Sequence, residues 1–200
     1  MASDIARRKF LPTLGGAAAA WPLAARAQQP AMPVIGHLES GGPGNPTYHT
    51  AFRKGLNELG YVEGRSVAIE YRTAEHYDRL PALAAALVRR PVTVMYTTGN
   101  VASLVAKTAT AITPIVFAMG EDPIQAGLVV SLNRPGGNIT GVSFFSGTLA
   151  AKRLEYLREL IPQTTTIAFL VNPANVRTEI DKREMRAAVR SAALHYETTR

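Results

Sequence analysis

The 200-residue chain contains no cysteine. Disulfide bonds, thiolate metal centres and lipid attachment at an N-terminal cysteine are therefore excluded. After residue 27 the sequence also has no apolar run of about 18 residues, the length that a membrane-spanning helix requires. We therefore expect this part of the chain to fold in water.

Nucleotide-binding signatures are incomplete. Gly42 and Gly44 match the first two glycines of a GxGxxG pattern, but Thr47 occupies the third position. Glu70 stands at the end of a predicted strand, where a ribose-binding acid would lie in a dinucleotide site. The sequence contains no GxxxxGK[ST] loop. We therefore predict no nucleotide cofactor, and no cofactor of another kind is indicated.

Catalytic and metal-binding patterns are equally weak. The serines lack a GxSxG elbow, among them Ser103, Ser131, Ser143 and Ser146. The four histidines, His37, His49, His76 and His195, lie at no metal-ligand spacing. The buried-strand pattern around His37 favours a histidine that is hydrogen-bonded within a sheet. We therefore predict neither an enzyme nor a metal site.

The net charge of +7 is unevenly distributed along the chain. The first 27 residues contribute +3, and the remaining +4 is spread thinly. The most basic later stretch, Lys182–Arg190, is interleaved with Glu184 and apolar residues. Nucleic-acid binders usually concentrate positive charge on one helix or loop, so we expect no nucleic-acid partner.

The N-terminus has the pattern of an export signal. The twin arginine Arg7-Arg8 precedes an apolar, alanine-rich run over Leu14–Ala25, and Ala25-Arg26-Ala27 fits the small-x-small rule of signal peptidase. This arrangement is typical of a twin-arginine signal peptide. We predict that residues 1–27 are removed by cleavage after Ala27 and that the mature protein is periplasmic.

From Pro33 onward, apolar runs alternate with amphipathic stretches of helical period. Strands are predicted over Val34–Leu38, Val67–Tyr71, Val92–Thr97, Pro114–Ala118 and Ile139–Val142. Apolar and polar residues alternate in the second of these, which favours a position near the sheet edge. Such alternation implies right-handed βαβ crossovers. Residues 33–142 are therefore predicted to form one α/β domain, a doubly wound and mainly parallel sheet.

Three details of the helices are also predicted within this domain. Asp78 is expected to cap the helix that carries Leu80, Leu83 and Leu87. The next helix is expected to present Val101, Leu104, Val105 and Thr108 on one face. A short helix is expected near Gln125–Ser131.

A hinge is predicted next. Arg134-Pro135-Gly136-Gly137 is a turn signal, and the strand after it leads into the aromatic residues of a crossover over 143–147. Residues 148–200 then begin a second α/β unit, with a helix that Thr148 caps and an apolar strand over Thr166–Val171. A further helix is predicted over Glu179–Leu194, and the final residues read as the start of another strand. Because so few elements cannot enclose a parallel-sheet core, we expect an incomplete second lobe.

Ligands in open α/β sheets bind beyond the carboxyl ends of the strands, where helix N-termini offer N–H groups to anions. The segments predicted at that edge are Glu39–Gly44, Thr97–Val101, Ala118–Asp122 and Val171–Asn172. The amides of Thr98–Val101 and the Thr98 hydroxyl are candidates for holding a carboxylate, and Phe144 and Phe145 for covering an apolar group. The other interpretation is equally open: the glycines make turns and the phenylalanines pack the hinge.

Long strings in this sequence resemble a known family. They are FRKGLNELGYVEGRSVAIEYR (52–72), YDRLPALAAALVRRPV (77–92), PIVFAMGEDPIQAGLVVSLNRPGGNITGV (114–142) and KRLEYLRELIP (152–162). Together they resemble the ABC transporter substrate-binding protein family over about residues 33–175. The resemblance implies a periplasmic protein with a type I periplasmic-binding-protein fold, in which two similar lobes hold a solute and deliver it to a membrane permease.

The resemblance also implies which residues line the cleft between the lobes. They are Ser40, Gly41, Thr98, Gly99, Asn100, Gly120, Glu121, Asp122, Phe144, Phe145 and Asn172. Some family members bind aromatic amino acids, so a small organic solute, an amino acid or an aromatic compound, is the implied ligand. Family members continue well beyond the length of this chain, so the resemblance favours a chain truncated in its second lobe.

Three alternatives to an importer component stay open at this point. They are a periplasmic enzyme on a flavodoxin-like domain, a ligand-sensing partner of a membrane receptor, and an inactive truncated product. The sequence indicates no oligomeric state.

Overall fold

The computed structural model describes residues 32–42, 46–145, 149–175, 177–191 and 195–199. The predicted signal peptide, the cap residue Thr148 and residues 146–147 of the predicted crossover lie outside the described residues. Within them, no helix is both long enough and apolar enough to cross a membrane.

Five parallel strands form the main sheet in the order β2-β1-β3-β4-β5. The strands are β1 (Val34–Ser40), β2 (Ala68–Ala74), β3 (Val94–Thr98), β4 (Ile115–Met119) and β5 (Ile139–Ser143). The prediction that the alternating strand lies at an edge is confirmed, since β2 ends the sheet on one side. The centre of β1 is buried, as its apolar run predicts.

The helices of this domain are α1 (Pro46–Glu58), α2 (Leu80–Val88) and α3 (Asn100–Ala109). The core between α2, α3 and the sheet contains the fully buried side chains of Leu38, Leu80, Leu87 and Met95. The described part of α1 contributes no buried residue. Strand ends and helix starts therefore meet at one edge of a well-packed sheet.

The buried face of α3 differs from the prediction. Its buried residues are the small ones, Ala102, Ser103 and Ala106, whereas Thr108 is exposed. The Ser103 hydroxyl lies 2.9 Å from the Thr97 hydroxyl on β3. Small side chains let the helix lie close to the sheet, so the larger apolar residues are only half-buried at its flanks.

Asp78 does not cap α2, contrary to the prediction. A 3-10 turn over Tyr77–Arg79 precedes the helix, and the backbone N–H of Leu80 donates to the Tyr77 carbonyl. The cap residue Arg79 makes no side-chain capping hydrogen bond. The tight turn thus satisfies a backbone group that a side chain was expected to satisfy.

The helix predicted near Gln125–Ser131 is absent, and turns occupy this described segment. The Asp122 carboxylate accepts the backbone N–H of Ile124 at 2.8 Å. The Pro123 carbonyl accepts the N–H of Leu128 at 2.8 Å. These bonds bend the chain back on itself and bury Leu128 against the core.

The described part of the second unit contains two helices and two parallel strands. They are α4 (Ala150–Leu160), β6 (Thr166–Leu170), α5 (Thr178–Ser191) and β7 (His195–Thr199). Leu154 packs against Met185, Ala188 and Val189 to form a small core. The predicted strand is present as β6, in which exposed and half-buried residues alternate although the sequence is largely apolar. The fold is thus α/β, a doubly wound parallel sheet with a partial second lobe, as predicted.

Candidate functional site

A cavity of about 410 Å³ lies where the carboxyl edge of the main sheet faces the second unit. From the first unit, Asn100, Gly120 and Glu121 line it. The second unit adds apolar residues from α4 and β6, including Leu157, Ile167 and Phe169, and the charged residues Arg153, Arg177, Asp181 and Glu184. Small-molecule sites in proteins commonly enclose about 300–1,000 Å³, so an amino-acid-sized solute fits this volume.

Arg177 is the central charged residue of the cavity, and sequence reasoning missed it. Its guanidinium Nε lies 3.0 Å from Asp181 and 3.6 Å from Glu121, and Nη2 lies 3.4 Å from Glu184. Only 5% of Arg177 is exposed. The available signal was the spacing of residues 177, 181 and 184, which places all three on one face of a helical segment.

Glu121 joins the two units electrostatically. Asn100 donates its side-chain amide N–H to the Glu121 carboxylate and accepts the backbone N–H of Gly120 at 3.2 Å. Burial raises the pKa of Glu121, and the nearby guanidinium of Arg177 only partly opposes this effect. The cost of removing the Glu121 carboxylate from water thus outweighs the stabilisation that its ion pair with Arg177 provides.

The N-terminus of α3 points its first amides toward the same edge. The first intrahelical bond runs from Ser103 N–H to the Gly99 carbonyl at 3.1 Å, so the amides of residues 100–102 precede it. The Gly99 N–H itself donates to the Ala118 carbonyl at 3.0 Å. The Gly99 amide is therefore engaged within the sheet, and the predicted anion contact stays a prediction for the helix amides that follow it.

Gly99 and Ser40 touch each other at this edge. Gly99 has φ +96° and ψ 152°, a conformation that side chains rarely adopt. A Cβ at Gly99 would stand 2.3 Å from the Ser40 hydroxyl oxygen. Gly41 follows with φ +116°, and its N–H donates to the Ala74 carbonyl at 3.2 Å. These three residues shape the edge but do not line the cavity.

Three further predicted residues hold local structure. The Thr98 hydroxyl lies 3.1 Å from Nε2 of His37, so this hydroxyl faces the histidine. The Asp122 carboxylate accepts backbone N–H groups of its own turn. Asn172 accepts the N–H of Ala174 at 3.0 Å through its side chain and lies on a separate hollow beside Glu75–Asp78. Each has a structural task that its sequence pattern did not reveal.

The two phenylalanines follow β5. The Phe144 N–H donates to the Met119 carbonyl at 2.9 Å and its ring is 69% exposed. Phe145 has φ +48° and its N–H donates to the Ser143 hydroxyl at 3.2 Å. Neither ring lines the cavity, so their role as a ligand cover stays a prediction.

The structure also gathers residues that sequence spacing had separated. His37 and Glu39 on β1 lie beside His49 on α1, although no metal-ligand spacing relates them in the sequence. His37 was predicted to be hydrogen-bonded within the sheet. Its Nε2 is hydrogen-bonded to the Thr98 hydroxyl, as predicted, whereas its Nδ1 has no partner. Burial, together with the nearby His49, lowers the pKa of His37 to about 4.

Two solved structures have folds similar to that of this chain. A conserved domain protein from Vibrio cholerae superimposes with a TM-score of 0.74 at 22% identity. The ABC domain from Streptococcus pneumonia, solved in complex with L-Trp, gives 0.71 at 26% identity. Each match covers 84% of this chain and 57% of the solved chain.

Sequence comparison agrees with the structural one. The tyrosine-binding protein of Clostridioides difficile strain R20291 is 30% identical over 130 residues, which are 64% of this chain and 37% of that protein. The sequence model of the ABC transporter substrate binding protein family matches residues 39–199, most of the chain. The chain therefore belongs to the ABC transporter substrate-binding protein family.

Proposed function

We propose that this protein binds an amino acid with an apolar or aromatic side chain in the cavity between its two units and delivers it, unchanged, to the permease of an ABC importer. The observation that carries the proposal is the make-up of the cavity. One wall holds Arg177 among three carboxylates, and another holds apolar side chains.

Each part of an amino acid has a matching group in this cavity. Three carboxylates (Glu121, Asp181 and Glu184) and two guanidinium groups (Arg153 and Arg177) line the cavity, so one ligand ammonium group would balance the remaining negative charge. The amides at the start of α3 suit a carboxylate. Leu157, Ile167 and Phe169 suit an apolar or aromatic side chain.

The relatives support this choice of ligand. One is named for binding tyrosine, and another was solved with L-Trp. A substrate-binding role without catalysis also follows the family as a whole. Since this chain spans 57% of the solved relatives, the ligand and the transport partner are proposals for it.

Calorimetric titration with a set of related ligands tests the proposal. L-Tryptophan and L-tyrosine are expected to bind. Tryptamine lacks the carboxylate and indole-3-propionic acid lacks the ammonium group, so each should bind at least tenfold more weakly, a loss of about 1.4 kcal/mol. A single charge-assisted hydrogen bond is worth about 1.5–3 kcal/mol. Equal affinity for all four ligands would place binding outside this charged cavity.

Chromatography of the ligand after long incubation checks that it is unchanged. Recovery of intact tryptophan is expected, whereas a modified product would favour the enzyme alternative.

Capture of membrane proteins on the immobilised chain separates the importer role from the ligand-sensing role. A permease is expected in the bound fraction, and a receptor in its place would favour the ligand-sensing alternative.

We also propose that the protein works in the periplasm. The support is the leader over residues 1–27, with its twin arginine and its cleavage pattern. Mass spectrometry of the periplasmic form should then find Gln28 at the N-terminus.

A further inference from the structure

A second cluster of polar residues lies outside the cavity, between β1 and α1. One ligand atom from each of His37, Glu39 and His49 lies within 4.8 Å of the others. His49 Nε2 is 3.0 Å from a carboxylate oxygen of Glu39. The side chains of His49 and Glu39 are 20% and 11% exposed, so solvent reaches one side of the cluster.

The same cluster contains an unsatisfied buried nitrogen. Among the described residues, the buried side-chain nitrogen and oxygen atoms without a hydrogen-bond partner are His37 Nδ1 and the Tyr71 hydroxyl. His37 is 1% exposed, and its ring centroid lies 5.1 Å from that of His49 and 5.4 Å from that of Tyr71. Buried polar groups without partners are rare, and each calls for an explanation such as a bound ion or water. The unpaired nitrogen of His37, beside a carboxylate and a second imidazole, points to an occupant.

We propose that His37, Glu39 and His49 bind a divalent transition-metal ion of the zinc type. Two imidazoles and one carboxylate are a ligand set that zinc takes in proteins, with the remaining position filled by water. Zinc ligands about 2.0–2.1 Å from a tetrahedral ion lie about 3.4 Å from one another. The His49 to Glu39 distance of 3.0 Å is already near that spacing.

Closing the full set around an ion requires small movements only. Separations of at most 4.8 Å must shorten to the spacing of about 3.4 Å. His49 can supply this change, because it lies on α1, whose described residues include none that is buried. Phe52 and Tyr96 stack at 4.4 Å beside the His37 ring and shield that side of the site from water.

A bound ion would also fasten α1 to the sheet. β1 is buried and fixed, whereas α1 packs without a buried side chain of its own. Ligands from both elements would therefore tie the exposed helix to the buried strand. Because a ligand that binds only the folded state raises its stability, zinc should raise the melting temperature.

Equilibrium dialysis of the untagged full chain, with metal quantified by mass spectrometry, tests the proposal. The expected result is one zinc ion per chain, no magnesium at equal concentration, and a higher melting temperature with zinc. His49→Ala should weaken zinc binding at least tenfold and abolish the thermal shift, without disturbing the fold, since His49 is not buried. Glu39→Gln should weaken binding in the same direction.

His76→Ala is the matched control, because His76 is exposed and lies outside the cluster. It should keep the zinc stoichiometry and the thermal shift of the native chain. Absence of zinc binding to the native chain, with water as the occupant of the cluster, would overturn the proposal. Retention of zinc by His49→Ala would overturn it equally, since the ion would then sit elsewhere.

Discussion

Replacement of Gly99 by alanine is expected to destabilise the protein, because this residue joins β3 to α3 in a conformation that needs glycine. Its φ of +96° and ψ of 152° fall in a region that is almost closed to other residues, and occupying it costs about 1–3 kcal/mol. The new Cβ would also stand 2.3 Å from the Ser40 hydroxyl oxygen. That oxygen can rotate away, so we expect the backbone to dominate and the free energy of unfolding to fall by about 2 kcal/mol. Urea denaturation measures this as a lower midpoint with an unchanged slope.

Two variants separate the causes. Gly55→Ala is the matched control, since Gly55 lies inside α1 with no atom within 4 Å of its would-be Cβ. Alanine there should raise stability by about 0.5–1 kcal/mol, the usual gain over glycine inside a helix. The double variant Ser40→Ala plus Gly99→Ala removes the contact but keeps the strained backbone, so most of the loss should persist. Full recovery in the double variant, or a Gly99→Ala protein as stable as the native one, would refute the reasoning.

Three further predictions concern pH, Thr98 and export. Burial raises the pKa of Glu121 above its ordinary 4.5, so its protonated form stabilises the fold below that value, and this contribution is lost as the pH rises through the folded pKa. Glu121→Gln should therefore gain stability relative to the native protein between pH 4 and pH 7 in urea denaturation, and the opposite trend would contradict a desolvated carboxyl. Thr98→Val removes the hydrogen bond to His37 and leaves a buried nitrogen unpaired, which should lower the free energy of unfolding by about 1–3 kcal/mol. Thr98→Ser keeps the hydroxyl and should keep the native stability. An unchanged free energy of unfolding in the valine variant would show that the bond is unimportant. Arg7→Lys plus Arg8→Lys should keep the protein in the cytoplasm, because the export receptor reads guanidinium groups and not charge alone. Cell fractionation with immunoblotting checks this, and export of the double variant would exclude a twin-arginine signal.

Much of the fold could be predicted because it follows from short-range patterns. The apolar run at β1 and the alternating residues of β2 specify a central and an edge strand, and the structure has both. Predictions failed where backbone bonds replaced side-chain caps, as at the 3-10 turn over Tyr77–Arg79. They also failed where a loop with helical composition bent back on itself through the Asp122 turn. The periodicity of hydrophobic residues carries no information about turns that backbone hydrogen bonds close.

The site was harder to predict than the fold, because its residues meet only in three dimensions. Asn100, Gly120 and Glu121 could be predicted as cavity residues because they follow strands, and parallel strands bring their carboxyl ends to one edge of the sheet. Arg177 comes from the second unit, and nothing near it in the sequence indicates a partner in the loop after β4. His37 and His49 likewise approach each other through the packing of α1 on β1. Tertiary contacts of this kind leave no spacing signal.

Fluorescence titration with L-tryptophan tests the central claim, solute binding in the charged cavity, most directly. The only tryptophan of the chain, Trp21, lies in the predicted leader, so in the mature protein that begins at Gln28 the ligand is the sole indole. We predict saturable binding at one site, at least tenfold weaker in Glu121→Gln and unchanged in Glu58→Gln, an exposed carboxylate on α1 that serves as the control. Absence of saturable binding, or an equal loss in both variants, would contradict the claim.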